Sequence, residues 1–281
     1  MSTLQNKIDF AVVLRVDHAN PNGDPLNGNR PRTDYDRLGE ITDVCLKRKI
    51  RDRLQEHGHA IFVQSNDRKN DSAKCLRERA ENFLGDKLAS AKEAIPAACG
   101  RWFDVRAFGQ IFPFKKKGKA KDEEGGGEGI SIPIRGPVSV RSAFSVEPVE
   151  VTSTQITKSV NLDGDSDVKR SPDTMGMKHR VDHGIYVFFG SMNPQLAEKT
   201  LFSDDDAAAI KQVLPRIFEN DASSARPEGS MEVLKVIWWK HNCKAGQHSS
   251  AKVHRSLKVK PDGTFELERL EGLEPEQIDG F

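Results

Sequence analysis

Short apolar runs separated by turn residues dominate the pattern along the chain. The runs Ile8–Val16, Gly184–Phe189 and Met231–Lys240 are rich in β-branched and aromatic residues, and each predicts a buried strand. Weaker strands are predicted at Ala60–Val63, at Ile130–Val140 with a bend at Gly136-Pro137, in two stretches of Phe144–Val160, and in a hairpin of Val253–Lys260 and Thr264–Leu270.

Three segments instead repeat apolar residues at helical spacing. The first is a helix that begins at Thr42-Asp43 and ends at Gly58, with Leu46, Ile50 and Leu54 on one face. The second is a pair of helices in Ser72–Ala98 that break near Gly85 and stop at Pro96. The third is a helix in Ser203–Asn220 that is capped by Ser203. The resulting order of strands and helices predicts an α+β fold of the split β-α-β kind, as in ferredoxin-like and RNA-recognition-motif folds. The base-stacking aromatic motif of RNA-recognition motifs is absent from the sequence, so we expect no stacking platform on the sheet.

Composition narrows the class of protein. Of 281 residues, 36% are hydrophobic and 22 are glycine, which is enough apolar sequence to form a core. The sequence contains no apolar stretch of ~18 residues, the length that a membrane-spanning helix needs. The polar opening Met1–Asp9 lacks the apolar run of a secretory signal, so we expect a cytoplasmic protein without a membrane partner. The four cysteines form no CxxC pair, which gives no support to a zinc site or a disulfide framework.

Charge is balanced overall but unevenly distributed, with a formal net charge of +1. Basic clusters lie at 47–53, 115–121, 169–180 and 252–260, and acidic clusters lie at 122–124, 204–206 and 266–276. This segregation favours one basic face, although a single cluster is more often solvated surface. The lysine- and glycine-rich stretch 115–129 predicts a mobile loop.

Catalytic and metal-binding patterns are weak. His179 and His183 are four residues apart on a predicted strand, where ~3.3 Å per residue separates them too far for one metal ion. The acidic run 163–167 lacks the glycine and glutamate of an EF-hand loop. We therefore expect no catalytic residue, no metal and no cofactor.

The segment Asn20–Arg32 (NPNGDPLNGNRPR) is the strongest functional candidate. Its backbone amides, amide side chains and guanidinium groups are the groups that contact phosphates and sugars, with Arg30 and Arg32 the best single candidates. A structural turn explains the loop alone, since Asn and Gly favour left-handed geometry. Nucleic-acid binding explains the pattern at least as well once the basic helix that follows is included, with Lys47, Arg48, Lys49 and Arg51.

This loop, followed by GEITDVCLKRKIRDRL (Gly39–Leu54), resembles the opening of the CRISPR-associated Cas7 family in its type I-C version. The N-terminal motif is highly specific, and the later similar stretches are moderately so. These are CGRWFDVRAFG (Cys99–Gly109), IRGPVSVRSAFSVEPVE (Ile134–Glu150) and MGMKHRVDHGIYVFFGSMN (Met175–Asn193), in family order over most of the chain.

The resemblance implies a hand-shaped protein. It has a modified RNA-recognition-motif palm (residues 1–63, 99–144 and 183–270), a helical finger insertion (64–98), a β-hairpin thumb (145–182) and a C-terminal tail (271–281). Such subunits polymerise along the guide RNA of a Cascade surveillance complex, and each thumb displaces a guide base. The implied partners are the guide RNA, the target DNA strand through the guide, neighbouring copies head-to-tail, the repeat-processing endoribonuclease, large and small subunits, and transiently the helicase-nuclease effector.

The expected RNA-binding residues are Asn20, Asn22, Gly23, Asn29, Arg30, Arg32, Lys47, Arg48, Lys49, Arg51, Arg135, Arg141, Gln155, Lys158, Met175, Met177, Lys178 and His179. The two methionines are candidates for an apolar thumb tip, although a single methionine is more often a core residue.

Two other functions stay open on the sequence alone. A metal-dependent endoribonuclease of the same superfamily would use a loop aspartate, and candidates in or near the comparable region are Asp17, Asp24, Asp34 and Asp36. A free-standing single-stranded RNA-binding protein would use the same basic loop without a fixed complex. Cleavage of labelled RNA with Mg²⁺ tests the first, and size-exclusion chromatography with and without guide RNA tests the second.

Overall fold

Strands outnumber helices in the computed structural model, which describes residues 2–114, 130–157 and 175–281. The strands in these ranges are β1 (Ile8–Ala19), β2 (Gly23–Asp24), β3 (Arg30–Pro31), β4 (Leu38–Ile41), β5 (Gly109–Phe114), β6 (Ile130–Arg135), β7 (Val138–Val140), β8 (Ala143–Pro148), β9 (Val151–Thr157), β10 (Met175–Met192), β11 (Met231–Lys240), β12 (Leu257–Val259), β13 (Phe265–Leu267) and β14 (Glu276–Asp279). The helices are α1 (Asp43–Glu56), α2 (Leu76–Leu84), α3 (Ala91–Arg101), α4 (Phe103–Phe108), α5 (Pro194–Thr200), α6 (Asp204–Val213) and α7 (Ser250–Arg255).

One large antiparallel sheet organises these elements. Its strand order is β14-β11-β1-β10-β8-β4, and β7 and β9 also pair with β10. Strand β1 is central, with Val12 opposite Phe188 on one side and Val236 on the other. The prediction of a mixed α+β fold is confirmed.

Both faces of the central strand are covered. Phe10, Val12 and Leu14 belong to the main core, which the apolar stripe of α1 and the inner face of α6 complete. Ala11 and Val13 face a second core, closed by the C-terminal segment that carries α7 and the β12–β13 hairpin. This second face is therefore no open platform for stacking bases, as the missing aromatic motif had led us to expect.

The helical insertion has a smaller core of its own. Ala80 and Leu84 of α2 and Ala98 of α3 pack with Trp102 and with Phe112 of the β5–β6 hairpin. The insertion is thus attached to the sheet through residues that follow it in sequence.

Several local predictions are confirmed, with shifted limits. Thr42 caps α1, and its side-chain oxygen accepts a hydrogen bond from the Cys45 amide. Ser203 caps α6 in a reciprocal capping box with Asp206, and β11 has the predicted bounds.

Four local predictions differ from the structure. Residues 60–63 form no strand, because the amides of Phe62 and Val63 donate to the Asp104 carboxylate at 2.7 and 3.0 Å. Helix α3 does not stop at Pro96 but runs on to Arg101, since buried packing on both sides of the proline outweighs one lost hydrogen bond.

The C-terminal predictions differ in two places. Ser249 caps a short helix, α7, so residues 253–255 are helical and the predicted hairpin is reduced to β12 and β13. Within the expected tail 271–281, β14 pairs with β11 and forms an edge of the sheet. In the described ranges, no helix has the length and apolar character needed to cross a membrane.

Candidate nucleic-acid interface

A two-stranded arm extends from the sheet where β9 pairs with the first half of β10. The register runs from Val181 opposite Val151 to Met175 opposite Thr157. The outer residues of both strands are exposed, which is typical of a hairpin that leaves the body of a protein. Lys158, the expected mobile loop 115–129 and the acidic run 163–167 lie outside the described residues.

The arm has two different faces, because side chains alternate along each strand and cross-strand partners share a face. Met175, Met177 and Gln155 share one face, where the Gln155 amide lies 3.1 Å from the Met175 sulfur. The two methionines are 59% and 54% exposed. Lys178 is on the opposite face, next to the half-exposed Ile156. The expected arm residues are thus divided between an apolar face and a basic one.

His179 is the exception among the expected arm residues. It is only 8% exposed, and its Nδ1 lies 2.8 Å from the Ser153 hydroxyl. His179 is therefore not a freely exposed side chain, because the base of the arm packs around it, and its expected contact with RNA stays a prediction. Thr152 donates to Asp182 at 2.6 Å, and this hydrogen bond, together with Arg180, holds the pKa of Asp182 below its ordinary value.

The loop after β1 folds into a small hairpin, β2–β3, and β3 lies against β10. The loop and the arm therefore adjoin each other, although they are more than a hundred residues apart in sequence. Arg30 is exposed and makes no ion pair within the described ranges, whereas Arg32 pairs with Asp24 at 3.3 Å.

The asparagines and the glycine of this loop hold its shape. Asn20 is buried and donates to the Asn29 carbonyl at 2.7 Å. The Asn22 side-chain oxygen accepts from both the amide and the hydroxyl of Thr42 at 2.9 Å, which ties the hairpin to the first turn of α1. A Cβ on Gly23 would lie 2.0 Å from the Asn29 side-chain oxygen, so a larger residue there would force the Asn29 side chain to move. These contacts hold the loop in shape, and the expected RNA contacts of its asparagines and glycine stay a prediction.

The expected cations of α1 all have intramolecular partners. The pairs are Lys47–Asp43 at 2.9 Å, Arg48–Asp52 at 2.8 Å, Lys49–Asp221, and Arg51–Asp104 at 2.9 Å. Lys49 is also only 5% exposed. Their role as phosphate contacts stays a prediction, but the structure gives each of them a role in folding.

Arg135 and Arg141 lie apart from the arm. Both are exposed, and the guanidinium of Arg141 is 6.0 Å from the centre of the Phe189 ring. Between Met177 and Phe189 the strand β10 runs for twelve residues, or ~40 Å at ~3.3 Å each. The structure therefore does not bring these arginines to the loop and the arm.

Two side chains near the base of the arm, Asp17 and His183, contact each other. Nδ1 of His183 is 2.5 Å from the Asp17 carboxylate, which Arg15 also contacts at 2.8 Å. Within the described ranges, no group of three or more His, Cys, Asp or Glu side chains is arranged to hold a metal ion.

Two further residues of this region were missed by the sequence reasoning. Tyr35 is fully exposed, and Arg37 has a left-handed backbone with φ of 63°. The only signal in the sequence is the turn-forming run Asp34–Arg37 directly after the basic loop.

Most of this chain is similar to a known protein family. The family model described as CRISPR-associated protein Cas7 matches residues 6–277. A relative from Haloferax volcanii, described as CRISPR-associated protein Cas7, is 30% identical over 253 residues, which are 84% of this chain and 71% of the relative.

Two solved structures are also similar. A chain of a "CRISPR RNA-guided surveillance complex, pre-nicking" has a TM-score of 0.48 at 17% identity, over 83% of this chain and 75% of its own. A chain of a "CRISPR RNA-guided surveillance complex" has a TM-score of 0.41 at 16% identity, over 83% and 68% respectively.

Proposed function

This chain belongs to the CRISPR-associated Cas7 family, and from that premise we propose that it is a guide-RNA-binding backbone subunit of a type I-C Cascade surveillance complex. Copies lie head-to-tail along the guide, since heterologous contacts that do not close generate an open helix. The guide is then presented for pairing with invading double-stranded DNA. Cas7 proteins are non-catalytic subunits, so the family confirms the expectation that this chain is not an enzyme.

The palm of this subunit is a modified RNA-recognition motif. Support comes from the order β11-β1-β10-β8 at the centre of the sheet. This corresponds to the order 4-1-3-2 of a β-α-β-β-α-β fold, with α1 and α6 as its two helices. Residues 64–98 are the finger and residues 145–182 the thumb.

The guide runs past the loop and the arm. The observation that carries this proposal is the arm itself, which is exposed on both faces and carries Met175 and Met177 beyond the sheet. An exposed apolar pair on a narrow hairpin suits insertion between bases, and Lys178 and Arg30 supply charge for phosphates. The cations of α1 stabilise the fold through their ion pairs, and phosphate contacts by Lys47, Arg48 and Arg51, which are not buried, stay a prediction.

The other partners follow from the place of a backbone subunit in such a complex. They are neighbouring copies, the repeat-processing endoribonuclease, large and small subunits, the target DNA strand through the guide, and transiently the helicase-nuclease effector.

Assembly on RNA tests the proposal. The purified chain is mixed with single-stranded RNA and partner subunits and imaged by negative-stain microscopy. The double substitution Met175→Ser and Met177→Ser should leave the palm folded but prevent ordered helical particles. Leu201→Ser is the matched control, since Leu201 is 52% exposed and lies on the turn after α5, outside the arm. Particles of the arm variant that match those of wild type would contradict the proposal.

A further inference from the structure

A tight turn between β3 and β4 is fixed by its own hydrogen bonds. The Arg37 amide donates to the Asp34 carbonyl at 3.2 Å, and Thr33 bridges to Gly39. The Asp34 carboxylate accepts from the amides of Asp36 and Leu38 at 3.0 and 2.8 Å. The backbone of this turn is therefore held in one conformation.

This rigid turn presents an aromatic ring to solvent. The Tyr35 side chain is fully exposed, and within the described ranges it contacts no other ring and no cation. Single exposed apolar residues are common on protein surfaces, so this observation alone does not decide its role.

Backbone strain at Arg37 gives a second, independent observation. Its φ of 63° lies in the left-handed region, at the position after a turn where glycine is usual. A β-carbon costs free energy there, so an arginine at this position whose side chain stabilises nothing in the fold is a candidate for a contact with a ligand. The Arg37 side chain is exposed and makes no ion pair within the described part of the chain, so folding gains nothing visible from it.

We propose that the turn Asp34–Arg37 is a contact for single-stranded RNA, in which Tyr35 stacks on an unpaired base and Arg37 binds the adjacent phosphate. Stacking on an aromatic ring tolerates any sequence, as a guide-binding subunit requires. The inference rests on the proposed function and extends it to two residues outside the expected set.

The position of the turn supports RNA as the occupant. The Arg37 carbonyl accepts from the Val149 amide at 3.0 Å, two residues before β9 of the arm begins. The Arg32 carbonyl accepts from the Glu40 amide at 2.9 Å, which joins the turn to the β2–β3 hairpin. The turn thus lies between the two segments that we propose to contact the guide.

Binding and stability measured together test the inference. Fluorescence anisotropy of the purified chain with a labelled single-stranded RNA of mixed sequence gives the affinity at several salt concentrations. Tyr35→Ala should weaken binding about 5- to 150-fold, and Tyr35→Phe should bind like wild type because its ring still stacks.

Arg37→Gly distinguishes a functional residue from a structural one. Because glycine relieves the strain, its melting temperature should rise by a few degrees. Its RNA affinity should fall, and the slope of log affinity against log salt should become shallower by about 0.7. A residue retained for folding would instead show a lower melting temperature and unchanged binding.

Three outcomes would overturn the inference, and they are distinguishable. If wild type binds RNA and both Tyr35→Ala and Arg37→Gly bind equally well, the turn is not a contact, while the proposed function stands. If Tyr35→Ala binds RNA normally but loses self-association, the ring is covered by a protein partner. If wild type itself does not bind RNA, the proposed function fails as well.

Discussion

Replacing Asp9 by asparagine should destabilise the protein by about 3–5 kcal/mol, the usual cost of removing one partner from a buried ion pair. Asp9 lies on β1 beneath the C-terminal segment and is fully buried. Its carboxylate is 2.9 Å from His241 Nε2 and 3.4 Å from both Lys7 Nζ and His254 Nε2.

The geometry explains why asparagine is a poor substitute. The backbone amide of Gln247 donates to Nδ1 of His241 at 2.9 Å. The other ring nitrogen of His241, Nε2, therefore carries a proton and donates to Asp9. An asparagine oxygen can accept one such bond, but the Lys7 ammonium would lose its buried counter-charge. At roughly 2–4 °C per kcal/mol, the melting temperature should fall by roughly 6–20 °C.

The stability lost in Asp9→Asn should become smaller as the pH falls into the acidic range. Burial opposes ionisation of Asp9, but the hydrogen bond from His241, together with the nearby His254 and Lys7, outweighs it, and the pKa of Asp9 lies below its ordinary value of 3.8. The folded state therefore holds the charge more strongly than the unfolded chain. The stabilisation is complete above the unfolded pKa and is lost as the pH falls through the folded pKa.

Urea unfolding of wild type and Asp9→Asn, at neutral pH and at steps down into acid, measures this difference. We expect the gap between the two proteins to be widest near neutrality and to narrow in acid. Glu198→Gln is the control, because Glu198 pairs with Lys244 at the surface and should contribute only about 0–1 kcal/mol. A gap below about 1 kcal/mol at neutral pH, or one that does not change with pH, would refute the reasoning.

Two further substitutions test the packing around the proposed interface. Lys49→Ala should lower stability by about 1–3 kcal/mol, because Asp221 loses one charged partner but keeps Arg226 at 3.1 Å, and should leave the salt dependence of RNA binding unchanged. Unchanged stability with a shallower salt slope would make Lys49 an RNA contact instead. Gly39→Ala should cost about 1–3 kcal/mol in thermal unfolding, since its Cβ would lie 2.1 Å from the Tyr186 hydroxyl oxygen. A melting temperature equal to that of wild type would show that Tyr186 moves aside freely.

Local signals allowed the sequence to predict much of the fold. Helix α1 carries its cap and its apolar stripe within fourteen residues, and β11 is an apolar run interrupted only by Glu232 and Lys235 before it ends at Lys240. The first half of β10 is polar, and its strand character comes from pairing with β9. Such pairing leaves little trace in the pattern of either strand, so the apolar pattern alone identified only Gly184–Phe189 as a buried strand, and the β-hairpin of the thumb came from the family resemblance.

At the candidate site, too, local signals could be predicted from the sequence, whereas contacts between separate segments could not. The sequence identified the loop 20–32 through its residue types, and it identified the arm through the family resemblance. It could not show that Asp104 and Asp221 neutralise cations of α1, since those acids are far away along the chain. The strain at Arg37 is a property of backbone geometry, which composition does not encode.

The RNA that accompanies the protein shows whether this chain is a guide-RNA-binding backbone subunit. The chain would be purified from cells that carry a CRISPR array and the other complex subunits, and the bound nucleic acid would be sequenced. We expect a uniform short RNA with repeat-derived ends. A preparation free of RNA, or one with RNA of random length and origin, would contradict it.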